Sequence, residues 1–189
     1  MKNSIKGIAI AAVVLFFWGF LYWGLGPYRT MIWQTNTDDV AAGQALLQHF
    51  PENGTYFVPG FTQDEATVEK LFADGPIAFV HMISASGRSM HDPTIMIQGF
   101  ILNVVVIVLI AMLLRRVCSA LPMYLDRVKF VTLVGLTAAV LVDLGDAVWW
   151  QIAWSWKLYQ AFYTLTACVI TGLILAKYIT PEPDQPAAS

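Results

Sequence analysis

Two carboxylates interrupt an apolar run in the stretch "LVDLGDAVWWQIAW", from Leu141 to Trp154. An ionisable side chain at bilayer depth costs at least about 2.5 kcal/mol even on insertion scales, so Asp143 and Asp146 are expected to face a bundle interior and to have a purpose there. Three kinds of chemistry suit them. They can accept hydrogen bonds between helices, as polar residues in spans often do. Asp143 can titrate through desolvation and relay a proton or bind a cation. Or the pair can reach outward to water. Interhelical fastening is the leading expectation, and no intramembrane Lys or Arg is expected at the right depth to serve as a counter-ion.

A second candidate set lies in "HMISASGRSMH", where His81 and Met82 face Met90 and His91 across a turn. Imidazole and thioether ligands together suit copper. Strand alternation places His81 and Met82 on opposite faces, so an ordinary strand pair is preferred and no cofactor is assigned. Cys118 and Cys168 form no Cys-x-x-Cys pair, which argues against a thiol oxidoreductase. No histidine occupies an apolar run, which excludes a bis-histidine haem there. There is no Ser-His-Asp order, phosphate loop or zinc helix motif. The chain is not expected to be an enzyme.

The elements that must position these groups follow from composition. Of 189 residues, 57% are hydrophobic and 13% charged, far from the roughly 25% charged of soluble domains. The formal charge of −2, with no dense Lys/Arg cluster, excludes a nucleic-acid partner. Apolar runs long enough to cross a core of about 30 Å occur at Gly7–Gly26, Ile95–Leu114, Phe130–Trp150 and Leu158–Ala176. The first is too long for a signal h-region and no small-residue cleavage site follows it, so it is expected to be an uncleaved anchor. Lys2, Lys6, Arg115, Arg116, Arg127, Lys129 and Lys177 flank one side, against Arg29, Lys70, Arg88 and Lys157 on the other. That asymmetry puts both termini in the cytoplasm.

Depth can be reckoned from the rise per residue. If the third span leaves the membrane near Trp150, Asp146 lies about 6 Å and Asp143 about 10 Å below the outer edge. In the second span Gln98 lies about 5 Å and Asn103 about 12 Å below the same edge. Trp18 and Tyr22 of the first span and Tyr163, Thr164 and Thr166 of the fourth fall in that slab too. One polar layer could therefore cross all four helices, with Asn103 approaching Asp143 and Gly145 letting a neighbouring backbone come close. Trp149, Trp150, Trp154 and Trp156 surround the outer end of the third span, where an interfacial aromatic belt belongs.

Residues 27–94 read as a small acidic extracytoplasmic α/β domain. Asp38, Asp39, Glu52, Asp64, Glu65, Glu69, Asp74 and Asp92 outnumber its three bases. A helix capped by Asn36 or Thr37 is expected first, then a strand at Thr55–Val58. A second helix at 63–73 follows, with Thr62 and Glu65 as a capping box. Then comes a strand with Ile77, Phe79, His81 and Ile83 on one side, and a third short strand after "SGRS". So small a domain buries little core and must lean on the membrane or on a partner. The tail "TPEPDQPAAS" reads as disordered.

"GTYFVPG" before a helix, "DGPIAFV", a third span ending in Trp and an aromatic-rich fourth span resemble a group of small bacterial inner-membrane proteins. The resemblance covers most of the chain and implies the four-span architecture. It brings no catalytic residue with it. The chain is thus expected to be a mainly α membrane protein: a four-transmembrane-helix bundle with an extracytoplasmic α/β domain between spans one and two. Its parts are residues 1–26, the insert 27–94, the three-helix part 95–178 and the tail 179–189. The expected role is a non-enzymatic accessory, assembly or interaction subunit of a bacterial inner membrane, contacting lipid and a membrane-protein partner or a second copy. A small proton- or cation-coupled transporter built on Asp143 is the alternative, and it would need an oligomer because four helices enclose a narrow path. Copper handling is third.

Overall fold

The computed structural model describes residues 2–181, so all but the first residues of the tail lie outside it. Four helices are long and apolar enough to cross a membrane: Asn3–Gly24, Pro93–Ala120, Tyr124–Trp149 and Trp154–Tyr178. In chain order the elements are α1 (Lys2–Gly19), continued by a π-helical turn at Phe20–Gly24, then α2 (Tyr28–Met31), α3 (Asp39–His49), β1 (Gly54–Val58), α4 (Glu65–Asp74) and β2 (Ala78–Met82). There follow α5 (Pro93–Val117), α6 (Tyr124–Ala138), a second π-helical turn at Ala139–Leu144, α7 (Gly145–Trp149) and α8 (Trp154–Tyr178). The protein is mainly helical with a small α/β insert between the first and second spans. It divides into two compact units, Met1–Gln34 with Pro93–Ser189, and Thr35–Asp92. Pro27–Gln34 thus groups with the spans and not with the insert.

Within the helical unit α8 is the hub. It packs along α6 and the π turn that continues it, and on its other side against α1, which in turn packs on α5. The second and third spans are consecutive in the chain but lie on opposite flanks and touch only slightly. The core is made of small and branched side chains, among them Ala11, Ala12 and Leu15 of α1, Ile107, Ala111 and Leu114 of α5, Val131 of α6 and Leu175 of α8. In lipid, such close packing supplies the association energy that hydrophobic burial supplies in water. Close approach is set by glycines at the α6–α8 contact. A Cβ on Gly135 would collide with Cβ of Cys168, and one on Gly172 would sit 3.1 Å from Cβ of Val131. Gly145, expected to have this role, faces open space instead.

The end of the bundle opposite the insert connections is fastened by Arg127, which is 4% exposed. Its Nη1 donates to the carbonyls of Leu121 (2.8 Å) and Pro122 (2.7 Å), and Nε and Nη2 donate to Ala176 O at 3.3 and 3.1 Å. A planar guanidinium with five donors can satisfy several chain-end carbonyls at once. Here it ties the last turn of α8 to the loop before α6 without any carboxylate. Tyr124 Oη adds a hydrogen bond to Leu173 O at 2.9 Å.

The insert holds a two-stranded antiparallel sheet of β1 and β2, joined through α4, with Thr55 opposite His81 and Phe57 opposite Phe79. Its helix caps differ from expectation. Asp38, not Asn36 or Thr37, caps α3 by accepting from the amides of Val40 and Ala41. Asp64, not Thr62, caps α4 by accepting from the amide of Thr67 and from its hydroxyl. In both, a carboxylate nearer the helix satisfies the orphan donors and adds a charge favourable to the dipole, so it wins over an upstream hydroxyl or amide. No third strand forms among the described residues. The chain turns at Ser84–Gly87, with Gly87 at φ 74°, and Asn53 holds the amide of Ala85 at 2.7 Å. Gly75 ends α4 at φ 63°, another conformation that favours glycine.

Candidate functional site

Asp143, Asp146 and Lys157 form a triad between the third and fourth spans. Lys157 lies in the first turn of α8, and its Nζ sits 2.9 Å from Asp146 Oδ2 and 3.5 Å from Asp143 Oδ1. Thr164 Oγ1 donates to the other oxygen of Asp143 at 2.9 Å. Lys157 is 4% exposed and Asp143 7%. Lys157 is the counter-ion that the sequence reading excluded. The apolar run of the fourth span begins at Leu158, which left Lys157 as a loop cation, but the helix begins at Trp154 and carries it inside.

Local structure aims these groups. Lys157, Gln160 and Thr164 stand at i, i+3 and i+7 and therefore share a face of α8. Asp143 belongs to the π turn at Ala139–Leu144, and Asp146 to α7 just beyond it. A π turn inserts an extra residue per hydrogen-bonded ring and re-aims the side chains after it, and such turns are frequent at functional sites. The connection to α8 is short. Gln151 adopts φ 54° there and its side-chain Nε2 donates to Val148 O at 2.7 Å. The triad carries a formal charge of −1 when all three groups are ionised, and with Thr164 it fastens one helix to the other at both carboxylates.

Next to the triad along α8 is an aromatic cluster shared with the first span. Tyr22 and Tyr159 exchange hydrogen bonds, each hydroxyl donating to the other's backbone carbonyl at 2.8 Å, with ring centroids 4.4 Å apart. Tyr22 lies in the π turn of the first span. Trp23, Tyr28, Trp33, Trp156 and Tyr163 pack around this pair, with Trp156 5.8 Å from Trp23 and 5.6 Å from Trp33. Gly26 is required here, since a Cβ would collide with Tyr22 O and Tyr159 Oη.

The remaining expected site residues fall elsewhere. Gln98 is exposed and Asn103 half-buried on α5, and among the described residues neither hydrogen-bonds to Asp143 or Asp146. Equal depth did not bring them together because α5 and α6 are on opposite flanks of the bundle. The polar constellation therefore joins the third and fourth helices, and Tyr163 contributes to the aromatic cluster beside it. Trp149, Trp150 and Trp154 are exposed at that end, as interfacial anchors require. Trp156 differs from them in packing inward. In the insert, His81 Nδ1 lies 2.9 Å from Thr55 Oγ1, Met82 is on the other strand face, and Met90 is exposed. Among the described residues no three His, Cys, Asp or Glu side chains are grouped to hold a metal. Gln160 Oε1 and Trp18 Nε1 are buried without a hydrogen-bond partner among the described residues. Comparison with protein-family models, curated proteins and solved structures finds no match to this chain.

Proposed function

We propose that this chain is a non-enzymatic accessory subunit of a bacterial inner membrane whose insert, on the outer side, docks a partner protein, with both termini in the cytoplasm. One observation carries the reading. In the insert, Thr35–Asp92, Pro59 is the one residue that is buried among those described, while Phe61, Ile77, Phe79, Ile83 and Val40 are exposed. A soluble unit that leaves so much apolar surface uncovered marks an interaction site. The asymmetry of basic residues supports the orientation. The transport alternative needs Asp143 free to exchange a proton or cation, whereas its two oxygens are engaged by Lys157 and Thr164, which favours the fastening role.

Two measurements test this. The full chain, solubilised gently from native membranes, is expected to migrate in a larger assembly than a variant with residues 35–92 replaced by a Gly/Ser linker. Equal migration, corrected for the deleted mass, would overturn the proposal. For orientation, Gly54→Cys in a background of Cys118→Ser and Cys168→Ala should react with an impermeant thiol reagent from outside. Ser119→Cys should react only after permeabilisation, and the opposite pattern would reverse the topology.

A further inference from the structure

The exposed face of α4 carries a groove of ≈ 560 Å³ lined by Phe61, Gln63, Glu65, Val68, Glu69 and Phe72. Residues 65, 68, 69 and 72 stand at i, i+3, i+4 and i+7, so one helix face supplies most of the lining. The floor is apolar. Phe72 and Phe61 have centroids 5.7 Å apart, and Phe57 stacks on Phe61 at 5.7 Å from beneath. Phe61 is nevertheless 70% exposed. Glu65 and Glu69 form the polar side, and neither has an ion pair among the described residues.

Charge selects among the possible occupants. The insert carries eight acidic residues against Lys70 and Arg88, a formal −6 with histidines neutral. An anionic lipid surface would be repelled, and a second copy would bring the same negative face to the contact. A basic segment would be attracted, and the groove offers such a segment two complementary surfaces. Carboxylates pair with Lys or Arg, and the aromatic floor takes both apolar side chains and the flat face of a cation. We infer that this groove binds a segment of a partner protein in which Lys or Arg residues are flanked by apolar ones. The inference rests on the partner-docking reading above and adds the chemistry of the partner.

The test uses the full chain in nanodiscs of zwitterionic lipid and three probes: a labelled decapeptide of Lys and Leu, its Glu/Leu counterpart, and vesicles containing phosphatidylglycerol. The Lys/Leu peptide is expected to bind and the Glu/Leu peptide not. Glu65→Gln with Glu69→Gln should weaken binding by about tenfold or more, since charge-assisted pairs are at stake. Glu52→Gln with Asp74→Asn removes the same charge outside the groove and should change affinity less than about twofold, as exposed non-contacting charges do. Phe61→Ser, at an exposed position, should weaken binding with the helicity unchanged. Equal loss in the two charge-neutralised variants would reduce the effect to bulk charge and overturn the inference, as would binding of the Glu/Leu peptide or, with no peptide present, direct binding of the anionic vesicles to the nanodisc-held chain. The native assembly separates this from the broader reading. If it depends on the insert but survives Glu65→Gln with Glu69→Gln, a partner docks elsewhere and only this inference falls. If it does not depend on the insert, both fall.

Discussion

Lys157 has two carboxylate partners, so its loss is felt twice. Lys157→Met keeps most of the stem and removes the charge, leaving Asp143 buried and Asp146 half-buried with no cation between them. Removing one partner from a buried ion pair costs about 3–5 kcal/mol. A large drop in the thermal unfolding midpoint in detergent is expected, and adding Asp143→Asn should recover part of it. Asp143→Asn alone should be milder, because its amide oxygen still accepts from Thr164. A Lys157→Met protein as stable as the parent would show that the triad fastens nothing. Conversely, a stable Asp143→Asn protein that lost proton-coupled uptake in vesicles would restore the transport alternative. The aspartates were legible in the sequence because a charge inside an apolar run stands out. Lys157 was not, because it stands at the edge of such a run, where a boundary error of three or four residues decides whether a cation is counted as loop or helix. The i, i+3, i+7 pattern of Lys157, Gln160 and Thr164 was the signal available.

Elements meet where side chains are smallest. At the α6–α8 contact, Gly135→Ala would place a methyl group against Cβ of Cys168, and overpacking of this kind costs about 1–3 kcal/mol. Cys168→Gly should offset much of that loss in a double-mutant cycle followed by thermal unfolding, since it removes the atom that is struck. Additive losses would show that the two helices do not meet there. In the insert, the hydrogen bonds from Thr67 to Asp64 hold its carboxyl below the usual carboxylate range. A depressed folded-state value stabilises the helix above the unfolded-state value and is lost as pH falls through the folded one. Hydrogen exchange across 65–74, corrected for its slower intrinsic rate in acid, should therefore lose protection as pH falls below the ordinary carboxylate range. In Asp64→Ala it should be faster at neutral pH and lack this acid step. Spans and strand β1 were legible from hydropathy and turn residues. Which of several neighbouring polar residues caps a helix was not, because the candidates differ by tenths of a kcal/mol in preference and the chain path decides. The third strand failed for a related reason: a turn signal says that the chain bends, not that it pairs afterwards.

At the scale of the molecule, the division into a helical unit and an insert was readable from composition. The arrangement of the spans was not. Chain order suggested that the second and third spans are neighbours, but α8 takes the central place because one of its sides carries the partners of α6 and another those of α1. Nearly every strong polar fastening then joins the third span to the fourth: the triad at one end, Arg127 and Tyr124 at the other. This has a consequence for biosynthesis. While the nascent chain ends before Lys157, the third span offers the translocon two aspartates with no cation and an arginine with no α8 carbonyls to hold. Such a segment enters lipid poorly by itself, and it is completed only when the fourth follows, so the two are expected to be inserted together as a helical hairpin. Placed in a host membrane protein, residues 124–150 should insert less completely than residues 124–178, as read by glycosylation of flanking acceptor sites. Replacing Asp143 and Asp146 by Leu should abolish most of that difference. Equal insertion of the short and long segments would show that the third span needs no companion to cross.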